Sequence, residues 1–132
     1  MTVGSTMTDT ELRQYDVRAR STDTFGRVLC NSRDQHFVVD GPVQNGCPGE
    51  AITPAEIFLA GIASCGVELL QVVARDSNVP LRSVEVSIHG VIDRSRPVRD
   101  DVNVFNSVDV AFTLGGVDRA QADLLVATFK RR

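Results

Sequence analysis

Three cysteines, Cys30, Cys47 and Cys65, are the residues of this chain best suited to chemistry. Cys65 stands in Ala63-Ser64-Cys65-Gly66, inside a long apolar run. Free cysteine is among the most buried residue types, so one reading makes Cys65 a small core residue. The other makes it a redox nucleophile, whose thiolate attacks the O–O bond of a peroxide and becomes a sulfenic acid. A neighbouring cation favours the thiolate. A helix opening near Thr53 would place Cys65 about three turns from its N-terminus. The helix dipole fades within the first turn, so the cation must come from elsewhere in the fold. Other constellations are weaker. Cys30, Cys47, Cys65, His36 and His89 show neither Cys-x-x-Cys nor His-x-x-x-His spacing, so no metal is expected. A Cys–His hydrolase dyad has no third group to orient it. Arg13, Arg18, Arg20, Arg27 and Arg33 read as solvated strand faces. The Gly41–Gly49 loop lacks the lysine and the spacing that cradle a phosphate.

The elements that must position these groups are legible from periodicity. Leu12, Tyr15, Val17 and Ala19 alternate with Arg13, Asp16, Arg18 and Arg20. Two further short runs follow, Phe25 to Cys30 and His36 to Asp40, separated by Asn31-Ser32-Arg33-Asp34. Turn residues between the runs predict an antiparallel meander. Gly41, Pro42, Asn45, Gly46, Pro48 and Gly49 make residues 40–53 a loop. Thr53-Pro54-Ala55-Glu56 then has the form of a capping box, with proline at the first helical position. That helix is expected to run to about Asp76, before Asn78 and Pro80, and to be buried because it is apolar nearly all round. Its small residues, Ala60 to Gly66, predict a closely crossing helix. Val84, Val86 and Ile88 mark one strand, and Val108, Val110, Phe112 and Leu114 another, joined by a charged loop over 93–101. Asp118-Arg119-Ala120-Gln121 opens a second helix through Phe129. Strands, helix, two strands, helix: the order predicts an α+β fold with antiparallel sheet.

Composition narrows the classes. The chain has 132 residues, 42% apolar and 23% charged. That is one domain, expected over residues 11–132, with a polar tail at 1–10 that has no apolar leader-like stretch. A net charge of −3 excludes a strongly basic nucleic-acid footprint and a polybasic membrane patch. With 5% aromatics and no Trp, a base-stacking platform is not expected. The run from Ile57 to Ala74 raises the membrane question, but Glu68, Gln71 and several small residues interrupt it. A soluble, cytoplasmic protein with reduced thiols is expected. A chain this small supplies little cover for such a helix, which predicts a partner subunit.

Three blocks carry a family resemblance: Phe37-Val38-Val39-Asp40-Gly41-Pro42, then Thr53-Pro54-Ala55-Glu56 through Ala63-Ser64-Cys65, then Pro80-Leu81-Arg82-Ser83-Val84-Glu85-Val86. Together they resemble the OsmC/Ohr family, the osmotically inducible and organic hydroperoxide resistance proteins. The resemblance implies an intertwined homodimer with central helices packed between antiparallel sheets. It also implies reduction of small organic hydroperoxides through a thiol, with no cofactor and with an external dithiol as reductant. Cys65 matches the family's reactive cysteine. The family's catalytic glutamate directly follows the helix-opening proline. Here Ala55 holds that place and Glu56 comes one later, about 100° round the helix. Glu56 is thus a catalytic candidate beside its capping role. Arg27 and Arg33 are candidates for the activating arginine. The family's second, resolving cysteine lies in a Cys-Pro pair on the second helix. This chain has none there, and the pair and the last strand would fall beyond Arg132. The chain is therefore a shortened form, or another thiol serves, with Cys47 the nearer stand-in because it lies on a loop. The alternative functions on the same fold are a non-enzymatic protein that binds a hydrophobic small molecule at the dimer cleft, and a purely structural Cys65.

Overall fold

The computed structural model describes residues 12–101 and 103–131. The polar tail expected at 1–10 lies outside them. Strands β1 (Arg18–Ser21), β2 (Arg27–Ser32) and β3 (Gln35–Asp40) are followed by a 3-10 turn at Val43–Asn45. Helix α1 (Pro54–Asp76) comes next, then β4 (Ser83–Val91), β5 (Ser107–Gly115) and helix α2 (Arg119–Lys130). The chain divides into two compact units, Met1–Pro54 and Ala55–Arg132.

In the N-terminal unit β1, β2 and β3 form the expected antiparallel meander. The strand does not begin at Leu12, although the alternation starts there. With Arg18 opposite Asn31, Ser32 stands opposite Val17 and is the last residue of β2, so nothing remains to pair with residues before Val17. The Ser32 hydroxyl caps the ladder by donating to the Asp16 carbonyl at 2.9 Å. β2 and β3 join through the two-residue turn Arg33-Asp34, with Ser32 opposite Gln35 and Arg27 opposite Asp40. Arg33 has φ 54°, the left-handed region that two-residue hairpins require. After β3 the chain makes a closed loop. Gly41 N–H donates to the Gly26 carbonyl at 2.8 Å, Gly49 N–H to the Gly41 carbonyl at 3.1 Å, and Asp40 N–H to the Ile52 carbonyl at 3.1 Å. The half-buried Cys47 sulfur packs against Gly26 and Gly41, where a Cβ on either glycine would overlap it.

In the C-terminal unit β4 and β5 pair antiparallel over nine residues, from Ser83 opposite Gly115 to Val91 opposite Ser107. Val84, Val86 and Ile88 fall on the half-buried face of β4, as period-two alternation demands. Leu70 and Ala74 of α1 and Leu125 of α2 form the fully buried core, with Val84, Phe112, Leu114 and Phe129 packed round them. Gly66 brings α1 down onto the sheet. A Cβ there would sit 3.5 Å from both Phe112 and Val86.

The helix ends fall where the sequence places them. α1 stops in a left-handed cap at Asn78, φ 55°. Val79 N–H donates to the Ala74 carbonyl at 2.8 Å and Asn78 N–H to the Arg75 carbonyl at 3.2 Å, a Schellman motif. α2 opens with a reciprocal capping box. Gln121 N–H donates to Asp118 Oδ1 at 2.8 Å, and Asp118 N–H to Gln121 Oε1 at 3.1 Å. One expectation is corrected. α1 is not buried all round in a single chain: only Gly66, Leu70 and Ala74 are buried. It is long and apolar enough to cross a membrane by length and composition alone, a test that core helices also pass, and 17% of its most apolar window is buried. Its core contacts fall on one side, and Ala60, Gly61, Ser64, Glu68 and Gln71 are exposed on the other.

Candidate functional site

The position of Cys65 follows from its neighbour. Gly66 faces the sheet, and one residue along a helix is a rotation of about 100°. Cys65 is thereby turned out of the core, and its thiol is exposed. Within the single chain Cys65 is not a core residue. One turn before it, Gly61 is exposed, and the Ser64 hydroxyl donates to the Gly61 carbonyl at 3.1 Å. Two turns before it on nearly the same side, Phe58 is 58% exposed. Phe58 stacks on Phe105, with ring centroids 5.8 Å apart and an interplanar angle of 17°. Gly90 on β4 makes room for that pair, since a Cβ there would lie 2.7 Å from Phe105. The thiol therefore shares a strip of α1 with an aromatic wall.

The other sequence candidates are placed as follows. Glu56 is in the first turn of α1. It stands nine residues before Cys65, which is half a turn out of phase and about 13 Å along the axis. α1 therefore sets Glu56 and Cys65 on opposite sides, and one chain does not bring them together. Glu56 and Thr53 both have interaction partners. The single basic residue of α1 is Arg75, in its last turn, about 15 Å along the axis from Cys65. The cation is not supplied by the helix itself. Arg33 is exposed at the β2–β3 turn. Arg27 is occupied: Nε donates to Asp40 Oδ1 at 2.8 Å and Nη2 to Asp40 Oδ2 at 2.9 Å, while Nη2 also reaches Glu50 Oε1 at 2.8 Å. Arg27 and Arg33 belong to the N-terminal unit, Cys65 and Glu56 to the other.

Sequence reasoning missed Asp40, the one buried charged side chain among the described residues. Besides Arg27, its carboxylate accepts from Glu50 N–H at 3.0 Å and Ala51 N–H at 2.8 Å. The Arg27 guanidinium first, and the Ala51 N–H second, hold this carboxyl well below the usual carboxylate range. A signal for it exists in the sequence. Counting outward from a two-residue turn at Arg33-Asp34 sets Arg27 opposite Asp40. No group of three or more potential metal ligands occurs among the described residues.

Comparison with known proteins gives a consistent picture. The family profile described as OsmC-like protein matches residues 47–132. An OsmC-like protein from Mycoplasma pneumoniae has a similar structure, with TM-score 0.77 at 13% identity, covering 91% of this chain and 82% of that one. An organic hydroperoxide resistance protein OsmC from Legionella pneumophila superposes with TM-score 0.71 at 20% identity, covering 91% and 84%. The organic hydroperoxide resistance protein OhrB of Bacillus subtilis gives TM-score 0.57 at 24% identity, covering 90% and 84%. Curated protein sequences yield no significant match.

Proposed function

The chain belongs to the OsmC-like protein family, and from that premise we propose that it reduces small organic hydroperoxides through Cys65. The observation that carries the reading is the exposed thiol on an otherwise apolar helix, within the family-matched segment. The Cys65 thiolate attacks the terminal peroxide oxygen, and the O–O bond breaks. The sulfur is oxidised to a sulfenic acid, and the alkoxide takes a proton and leaves as the alcohol. An external dithiol then condenses with the sulfenic acid, releasing water and leaving a mixed disulfide. Its second thiol displaces the Cys65 thiolate as the dithiol closes to a disulfide. The Phe58–Phe105 pair supplies an apolar neighbour for the organic part of the substrate. No cofactor enters these steps. Among the candidates for the supporting groups, Arg33 makes no ion pair among the described residues, whereas Arg27 is held by two carboxylates. In this reading the protein works in the cytoplasm as a homodimer whose second copy completes the site round α1.

Sub-stoichiometric cumene hydroperoxide followed by mass spectrometry tests it. Sulfenic acid or a mixed disulfide is expected first at Cys65. First oxidation at Cys30 or Cys47 overturns it. A second reading, a non-enzymatic protein that binds a hydrophobic small molecule, is favoured by one observation: α2 carries no cysteine. Sustained peroxide consumption with dihydrolipoamide, abolished in Cys65→Ser, excludes that reading. A protein whose Cys65 is inert to peroxide supports it.

A further inference from the structure

The β1–β2–β3 sheet carries two adjacent rows of side chains on one face. Its register sets Arg18, Asn31 and His36 in one row and Arg20, Leu29 and Val38 in the next. Directly paired residues project to the same side, and rows two residues apart share a face about 7 Å from one another. The first row is polar and cationic. The second is apolar with a guanidinium at its end, and Leu29 and Val38 are 36% and 39% exposed. A groove of about 370 Å³ lies along β2 and β3, lined by Arg20, Leu29, Asn31, His36 and Val38, and also by Cys30 and Phe37, which the register sets on the opposite face. It adjoins a second depression that includes Arg18. Neither is lined by a carboxylate. Among the described residues, no ion pair involves Arg18, Arg20 or His36. The next row of the same face is different, because there Arg27 is neutralised by Asp40. The two rows that form the groove thus carry guanidiniums with no ion pair among the described residues, and Arg33 at the β2–β3 turn adds a third beyond them.

We propose that this face binds an amphiphilic carboxylate of medium chain length. The anionic head lies over Arg18, Asn31 and His36, where a guanidinium fork and an amide N–H both donate to carboxylate oxygens. The acyl chain crosses to Leu29 and Val38, with Arg20 beside the junction. A small inorganic anion would leave the apolar row unused. The groove's volume lies within the range of small-molecule sites.

Sodium octanoate titrated into the protein and followed by amide chemical shifts tests the proposal. Saturable shifts are expected at Arg20, Leu29, Asn31 and Val38. Acetate lacks the chain and octanol lacks the charge, so each is expected to bind at least about tenfold more weakly, a difference of one decade in Kd. Arg18→Gln/Arg20→Gln, at two exposed positions, is expected to weaken octanoate by a similar factor while keeping the thermal midpoint. Octylamine gives a readout without any variant and is expected to leave these amides unmoved. Unsaturable shifts, shifts confined to other elements, an equal response to octylamine, or undiminished binding by a folded double variant would each overturn the proposal.

Discussion

Burial of Asp40 is tolerated because its two oxygens accept four hydrogen bonds, two from Arg27 and two from the backbone of Glu50 and Ala51. A buried carboxylate without such partners would be strongly unfavourable. Asp40→Asn keeps the shape but turns an amide N–H₂ toward donors that already point inward. It is expected to lower the thermal midpoint by several degrees at neutral pH. The sign of the pH dependence follows from the depressed carboxyl. Its contribution is fully present above the ordinary value of 3.8 and is lost as pH falls below it toward the folded value. The gap between native and variant melts is therefore expected to be widest near pH 7 and to narrow below pH 4. A gap that stays constant across that range would show that the charge is not what matters. Arg27 is legible in the sequence as a basic residue of a strand. Its commitment to Asp40 is legible only once the register is counted out from a turn six residues away.

At the scale of elements, helix limits read well from sequence because caps are local chemistry. Asp118 and Gln121 close the α2 box within four residues, and Asn78 with Val79 ends α1 within six. The start of β1 reads poorly because a strand needs a partner, and the partner's length is decided by the turn at Arg33-Asp34. That turn also separates two roles for Arg33. Left-handed backbone costs a non-glycine residue roughly 1 kcal/mol, partly offset by the chain entropy that glycine loses on folding. Arg33→Gly is accordingly expected to leave stability unchanged or raise it slightly, by at most about 1 kcal/mol in denaturant melts. If its guanidinium also activates Cys65, the same variant loses peroxide reactivity. If reactivity is unchanged, Arg33 is a turn residue alone. The location of Cys65 on a helix is legible from sequence. Its outward aim is not, since it depends on Gly66 being the residue that meets Phe112 and Val86.

At the scale of the molecule, α1 has two unlike sides. One is bound into the Leu70–Ala74–Leu125 core, while Ala60, Gly61 and Ser64 stand exposed on the other. Small side chains let a second helix approach closely, and apolar area removed from water contributes about 25 cal/mol per Å². A homodimer joined along this side accounts for an apolar helix that one chain leaves largely uncovered. Light scattering at micromolar concentration is expected to give twice the chain mass, and Ala60→Arg to reduce it to one. A native chain that stays monomeric and melts cooperatively would refute the dimer. The proposed partner has its sequence argument in apolarity without enough chain to cover it. The side left open for the proposed partner becomes visible only once Gly66, Leu70 and Ala74 are known to face inward.

The loop after β3 has a practical use. The chain leaves the sheet at Gly41 and is fastened back to the same residue at Gly49, with the Cys47 sulfur lodged at its base. Its tip, Gln44-Asn45, is exposed. Both stems are tied to one place, so extra residues at the tip give up only the turn's own bonds, Asn45 N–H to the Pro42 carbonyl, Gly46 N–H to the Val43 carbonyl and Cys47 N–H to the Pro42 carbonyl. Doubling such a loop costs only about 0.6 kcal/mol of closure entropy. A short epitope inserted between Gln44 and Asn45 is expected to be bound by its antibody on the folded protein, with the melting midpoint little changed. That makes the tip a handle for immobilising or labelling the protein without altering a cysteine.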